Sequence, residues 1–139
     1  HFTTTDKLGN LIKIDTNGNL IKENLNLSVE NSIDVFDNNL VYLNENILTI
    51  KGINVELPFS RFSKPRIFIN SKTILVSITD LTNNEIYLYK DNGKLIEGFP
   101  IKGSSLIDIK DSDNDGKLEI ISVLDNFSIV SYEINLSQN

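Results

Sequence analysis

Short runs of alternating apolar and polar residues, each closed by a cluster of Asn, Asp, Gly or Pro, fill this chain and recur at a nearly fixed distance. Period 2 is the mark of half-buried strands, and the clusters between runs supply the positive-φ and turn positions that hairpins need. The clearest hairpin spans Ile86 to Ile96 around Asp91-Asn92-Gly93, and Asn17-Gly18-Asn19-Leu20-Ile21 repeats the form of Asn92-Gly93-Lys94-Leu95-Ile96. Aligning the strand ends gives Ile14, Ile50, Tyr89 and Tyr132, at steps of 36, 39 and 43 residues. An antiparallel four-stranded unit recurring at about 40 to 45 residues predicts the blades of a β-propeller.

The expected fold is therefore all-β, a partial β-propeller-like array of four-stranded blades forming one domain over residues 1–139. Two full blades are predicted at 31–59 and 65–100, the second with strands near 66–70, 73–79, 85–90 and 94–99. Partial blades fall at 8–27 and 104–134. The first resembles the last two strands of a blade, and the second supplies strands near 105–110, 118–124 and 127–134. Since propellers use four to eight blades, this chain is expected to be part of one, with its edges covered by the rest of a larger propeller or by self-association. A β-sandwich of about ten strands is the alternative topology.

Composition agrees with strands. Among 139 residues there is no Ala and one Gln, while 20 Ile, 19 Asn and 17 Leu favour a pleated surface over a helix. An AT-rich genome would enrich Ile and Asn as well. The formal net charge of -6 argues against nucleic acid or an anionic membrane surface as partner, so cations are the expected guests. Without Cys there is no disulfide framework, zinc thiolate site or cysteine nucleophile. No apolar run reaches the roughly 18 residues of a membrane helix, and no signal pattern opens the sequence. The sequence begins at His1, so a processed piece of a longer protein is expected.

The most specific motif is Asp111-Ser112-Asp113-Asn114-Asp115-Gly116-Lys117-Leu118-Glu119. Alternate carboxylates at 111, 113 and 115 converge if the chain curls, Gly116 permits the turn, the Lys117 carbonyl can point inward, and Glu119 closes a site for Ca²⁺. It is not an EF-hand, because position 12 is Ser122 and the flanks alternate like strands. A solvated acidic hairpin is the bland alternative.

These residues resemble the FG-GAP and VCBS-type propeller repeats of integrin α chains and bacterial surface proteins. Such repeats carry Asp-x-Asp-x-Asp-Gly-x-x-Asp between the first two strands of a blade. The match falls on Asp111, Asp113, Asp115, Gly116 and, with Glu in place of Asp, Glu119, and covers about 104–134. The run Tyr87 to Gly93 followed by Gly98-Phe99-Pro100 is similar to C-terminal blades of bacterial envelope propellers. The resemblance implies calcium binding and an extracytoplasmic, secreted or cell-envelope protein. Neither Phe-Gly nor Gly-Ala-Pro occurs, so integrin-like ligand binding is not implied.

A second cluster gathers both arginines with three Phe between the predicted blades, with Arg61, Phe62, Lys64 and Arg66 as candidates for an anionic or sugar ligand. An interblade connector is the plainer reading. His1 is the sole imidazole, which removes Ser-His and Cys-His catalysis from the interior. Asp15, Asp34, Glu45, Asp80 and Glu85 leave paired-carboxylate chemistry open without selecting a pair. The functional expectation is a noncatalytic, calcium-stabilised binding or assembly module with a protein or glycan partner. The alternative is part of a propeller hydrolase or lyase whose active site lies mostly outside this chain.

Overall fold

The computed structural model describes residues 2–27, 32–70, 73–104 and 107–136, which leaves His1 and the predicted strand positions 31, 105 and 106 outside the described residues. Among the described residues there is no helix, and the strands form four antiparallel sheets. The first contains β1 (Phe2–Thr5), β2 (Asn10–Ile14) and β3 (Leu20–Asn24). The second contains β4 (Ser32–Phe36), β5 (Asn39–Asn44), β6 (Ile47–Ile50) and β7 (Ile53–Glu56). The third contains β8 (Arg66–Asn70), β9 (Thr73–Asp80), β10 (Glu85–Lys90) and β11 (Ile101–Lys102). The fourth contains β12 (Asp108–Lys110), β13 (Leu118–Val123) and β14 (Ile129–Ile134). Every sheet is a meander of consecutive strands, and among the described residues no ladder joins one sheet to another or closes a ring. Four separate sheets also set aside a two-sheet sandwich.

The second, third and fourth sheets pack face to face in chain order. Val41, Leu48, Ile50 and Leu57 of the second sheet and its exit meet Val76, Ile78 and Tyr89 of the third in one buried cluster. Leu75, Ile86, Leu88 and Ile96, on the opposite face of the third sheet, meet Ile107, Ile120 and Ile134 of the fourth in another. Strand β9 is thus covered on both sides, and from Leu75 to Asp80 its residues are buried without a break, the polar Ser77, Thr79 and Asp80 included. The first strands of neighbouring sheets are tied directly. The Ile67 amide of β8 donates to Asp34 Oδ2 of β4 at 2.7 Å, and Arg66 Nη1 donates to the Ile107 carbonyl before β12 at 2.6 Å.

Four hairpin turns share one hydrogen-bond scheme, a three-residue loop with a left-handed residue before the returning strand. In each, the first residue donates its N–H to the carbonyl four residues on, and its own carbonyl accepts the N–H three residues on. The turns are 6–10, 15–19, 90–94 and 124–128, with bonds of 2.9 to 3.1 Å. By this geometry the β1–β2 turn matches the β13–β14 turn, and the β2–β3 turn matches the turn after β10. The first sheet therefore corresponds to the second, third and fourth strands of a full sheet, and the fourth sheet to the first three.

Three details differ from the sequence reading. The N-terminal unit begins at Phe2 rather than near residue 8, because Thr3, Thr4 and Thr5 form a ladder with β2 without any apolar alternation to announce it. The strand expected at 94–99 is reduced to a Tyr89–Leu95 bridge and the two-residue β11. A turn with the Phe99 N–H on the Ile96 carbonyl and Gly98 at φ 87° interrupts it, and Pro100 has no N–H to give a ladder. Finally, Ile50 faces forward to the third sheet whereas Tyr89 faces back to the second, so those two aligned strand ends are one residue out of register.

The left-handed position of the shared turn is filled by Gly9, Gly18 and Gly93 but by Phe127 in the last turn, at φ 65° and 88% exposed. Phe127→Gly should raise stability by about 0.5 to 1 kcal/mol in urea unfolding, since a side chain there opposes the left-handed backbone and no packing offsets it. Gly93→Ala should lower it by about 1 to 2 kcal/mol, because the new Cβ would crowd Ile53 and Val55 across the sheet interface.

Candidate metal centre

The acidic loop joins β12 to β13, the first two strands of the fourth sheet. Its carboxylates first serve to fold it. Asp111 Oδ1 accepts the Asp115 N–H at 3.1 Å and Asp111 Oδ2 the Gly116 N–H at 3.0 Å, while Asp115 Oδ1 accepts the Lys117 N–H at 2.9 Å. Asn114 (φ 62°) and Gly116 (φ 88°) take the left-handed conformation that makes the curl. Glu119 lies opposite Lys110 in the ladder, and its Oε2 reaches back to accept the Ser112 amide at 2.7 Å and hydroxyl at 2.5 Å.

Asp111, Asp113, Asp115 and Glu119 are brought together so that one carboxylate oxygen from each lies within 4.8 Å of the others. Oxygens bound to a single Ca²⁺ at 2.3–2.6 Å can be no more than about 5.2 Å apart, a limit that the spacing of this set meets, so these four residues could hold one ion. An all-oxygen, flexible and strongly anionic donor set also suits calcium better than softer metals. Lys117 contributes its backbone to the curl. Its ammonium pairs with Glu133 at 2.7 Å and lies 3.8 Å from Asp115, and the Glu133 hydrogen bond first, then the charges of Glu133 and Asp115, hold its pKa above the ordinary lysine value.

The second candidate cluster diverges. Arg61 and Lys64 are exposed on the connection before β8, whereas Phe62 packs into the core between the second and third sheets. There its ring meets Tyr87 edge-on at 6.5 Å, and Tyr87 stacks on Tyr89 at 6.4 Å. Arg66 lies over the Phe68 ring at 5.0 Å while reaching Ile107. One residue therefore serves packing and another ties two sheets together.

Four of the five carboxylates left open for acid–base chemistry have structural partners, and the fifth, Glu45, sits in the β5–β6 turn at φ 54°. Asp15 caps its turn through the amides of Asn17 and Asn19, Asp34 holds β8, and Glu85 pairs with Lys102 at 3.0 Å. Asp80 is fully buried and accepts from the Ser60 hydroxyl at 2.5 Å, the Thr82 and Asn83 amides at 2.9 Å each, and Asn83 Nδ2 at 2.8 Å. Sequence reasoning left its role open, although Asp80-x-Thr82-Asn83 is a turn-capping pattern. A cavity of about 450 Å³ between the first two sheets has a single carboxylate, Asp37, in its lining. No family model, curated protein or solved structure matches the chain.

Burial pushes the Asp80 pKa up, but the hydrogen bonds from Ser60, Asn83 and Thr82 outweigh it and leave the group below its ordinary value of 3.8. A depressed folded-state pKa stabilises the fold above the unfolded value and is lost as pH falls through the folded one. Asp80→Ala should cost about 2 to 3 kcal/mol at pH 7 by stripping several buried donors of their acceptor. In chemical unfolding followed against pH, the gap between the two proteins should narrow below pH 3.8. A gap independent of pH would mean that the charge of Asp80 contributes nothing.

Proposed function

We propose that this chain is a calcium-stabilised segment of a β-propeller, serving as a binding or assembly module of a secreted or cell-envelope protein. The observation that carries the reading is the convergence of four carboxylates within 4.8 Å on the loop between the first two strands of a face-packed sheet. The resemblance to FG-GAP and VCBS-type repeats places calcium ligands at that point of a blade. The protein's own residues provide the hard oxygen ligands, and the ion supplies charge neutralisation that the curled loop lacks by itself. With its carboxylates neutralised, the loop fixes the β12–β13 connection and so the Ile109 and Leu118 side chains packed against the third sheet. The role is structural, with a protein or glycan held by the surrounding surface. An extracytoplasmic setting suits it, since modules outside the cell work with calcium dissociation constants of about 10⁻⁴ to 10⁻³ M.

Calorimetric titration should give one Ca²⁺ per chain in that range. Calcium at 100 times the dissociation constant should add about 2.7 kcal/mol of stability, seen as a higher melting temperature than in chelator. Asp113→Ala should abolish both responses, and Asp37→Ala, outside the loop, should leave them intact. Absence of heat and of any melting shift in the unaltered chain would reduce the loop to a solvated hairpin.

A further inference from the structure

The acidic loop carries its own cation. Lys117 is the residue before β13, and its ammonium donates to Glu133 Oε2 on β14 at 2.7 Å while standing 3.8 Å from Asp115 Oδ2. Among the described ion pairs, only those of Lys117 involve the loop. Asp115 turns its other oxygen, Oδ1, to the Lys117 N–H at 2.9 Å, so one residue answers both oxygens of that carboxylate, once through its backbone and once through its charge. Glu133 in turn lies directly opposite Glu119 in the ladder, a like-charged pair that a nearby ammonium eases. The shorter contact of Lys117 is thus to a carboxylate outside the set of four, and its charge is held beside that set.

Resting on the calcium reading above, we propose that Lys117 is a tethered counter-ion, which supports the empty loop and lowers its affinity for calcium, and that Glu133 is the tether. Four carboxylates within 4.8 Å repel one another when no ion is present, and one fixed positive charge at their margin relieves part of that repulsion. Once a divalent ion enters, the same charge opposes it. The ammonium therefore favours the loop without metal over the loop with it, and the difference subtracts from the binding free energy. Glu133 limits this competition, because a carboxylate outside the set holds the ammonium at 2.7 Å and restrains it from closing onto Asp115. The three side chains are 42 to 55% exposed, so the effect has the size of a surface ion pair, about a few-fold in an equilibrium constant. Such a device shapes the loop before the ion arrives and keeps its affinity at the weak end.

Calorimetric titration with Ca²⁺ and thermal melting of side-chain variants test this. Lys117→Met should bind calcium about two- to fivefold more tightly than the unaltered chain. It should melt about 1 to 3 °C lower in chelator, and the difference should shrink in saturating calcium. Lys117→Arg, which keeps the charge, should restore both values. Glu133→Gln should weaken binding, and by less in the Lys117→Met background than alone, since the tether has nothing to hold once the ammonium is gone. Should Lys117→Met fail to fold, Lys117→Gln replaces it with the same expectation. If the unaltered chain binds calcium, three results would each overturn this proposal alone: equal or weaker affinity in Lys117→Met, an unchanged melting temperature in chelator, or additive effects in the double variant. No calcium uptake by the unaltered chain would overturn the calcium reading and this proposal together.

Discussion

Burial of the third sheet on both of its faces is the interaction on which the rest depends. Leu75, Ile86 and Leu88 point one way and Val76, Ile78 and Tyr89 the other, so one sheet supplies half of each hydrophobic cluster. At roughly 1.5 to 3 kcal/mol for each fully buried aliphatic side chain, those residues constitute a large share of the favourable energy available to a chain of this size. The second and fourth sheets each gain one covered face from it. Their remaining polar ties, Asp34 to Ile67 and Arg66 to Ile107, then act on surfaces already held together and fix how one sheet is oriented on the next.

Polar residues do the complementary work at the turns. Asp6 and Asp15 each hold the amides two and four residues on, and the Asn four residues on returns a side-chain N–H to the same carboxylate. Asp111 uses the same logic in the acidic loop, where its oxygens meet the amides of Asp115 and Gly116. The carboxylates that could hold a cation are thus the ones that shape the backbone around it, and carboxylate oxygens have lone pairs enough for both tasks.

How much of this was legible in the sequence depended on where the signal lay. The first three strands of the third sheet could be read almost residue by residue, at 66–70, 73–79 and 85–90, because turn residues such as Asn83-Asn84 and Asp91-Asn92-Gly93 punctuate its runs. Asp111, Asp113, Asp115 and Glu119 were legible as a group for a similar reason, being local in sequence. What stayed hidden was whatever local pattern does not encode. The threonines of β1 show no alternation, the ladder of β11 is broken by Gly98 and Pro100, and the apolar Phe62 and cationic Arg66 look like a ligand cluster until packing separates them. The burial of Asp80 is likewise a tertiary fact, and the Ser60 hydroxyl that donates to it comes from twenty residues away.

Among the described residues every ladder joins strands adjacent in sequence, and even the long connection after Lys90 returns to pair with β10. No strand waits for a distant one before it can form hydrogen bonds. Loop closure within a sheet therefore costs little entropy, and the non-local step in assembly is the docking of one finished sheet on another. Folding of such a chain becomes a one-dimensional problem in which order can start in whichever hairpin forms first and spread to its neighbours. The same independence makes the sheet, rather than the whole chain, the unit that duplication or exchange could add or remove.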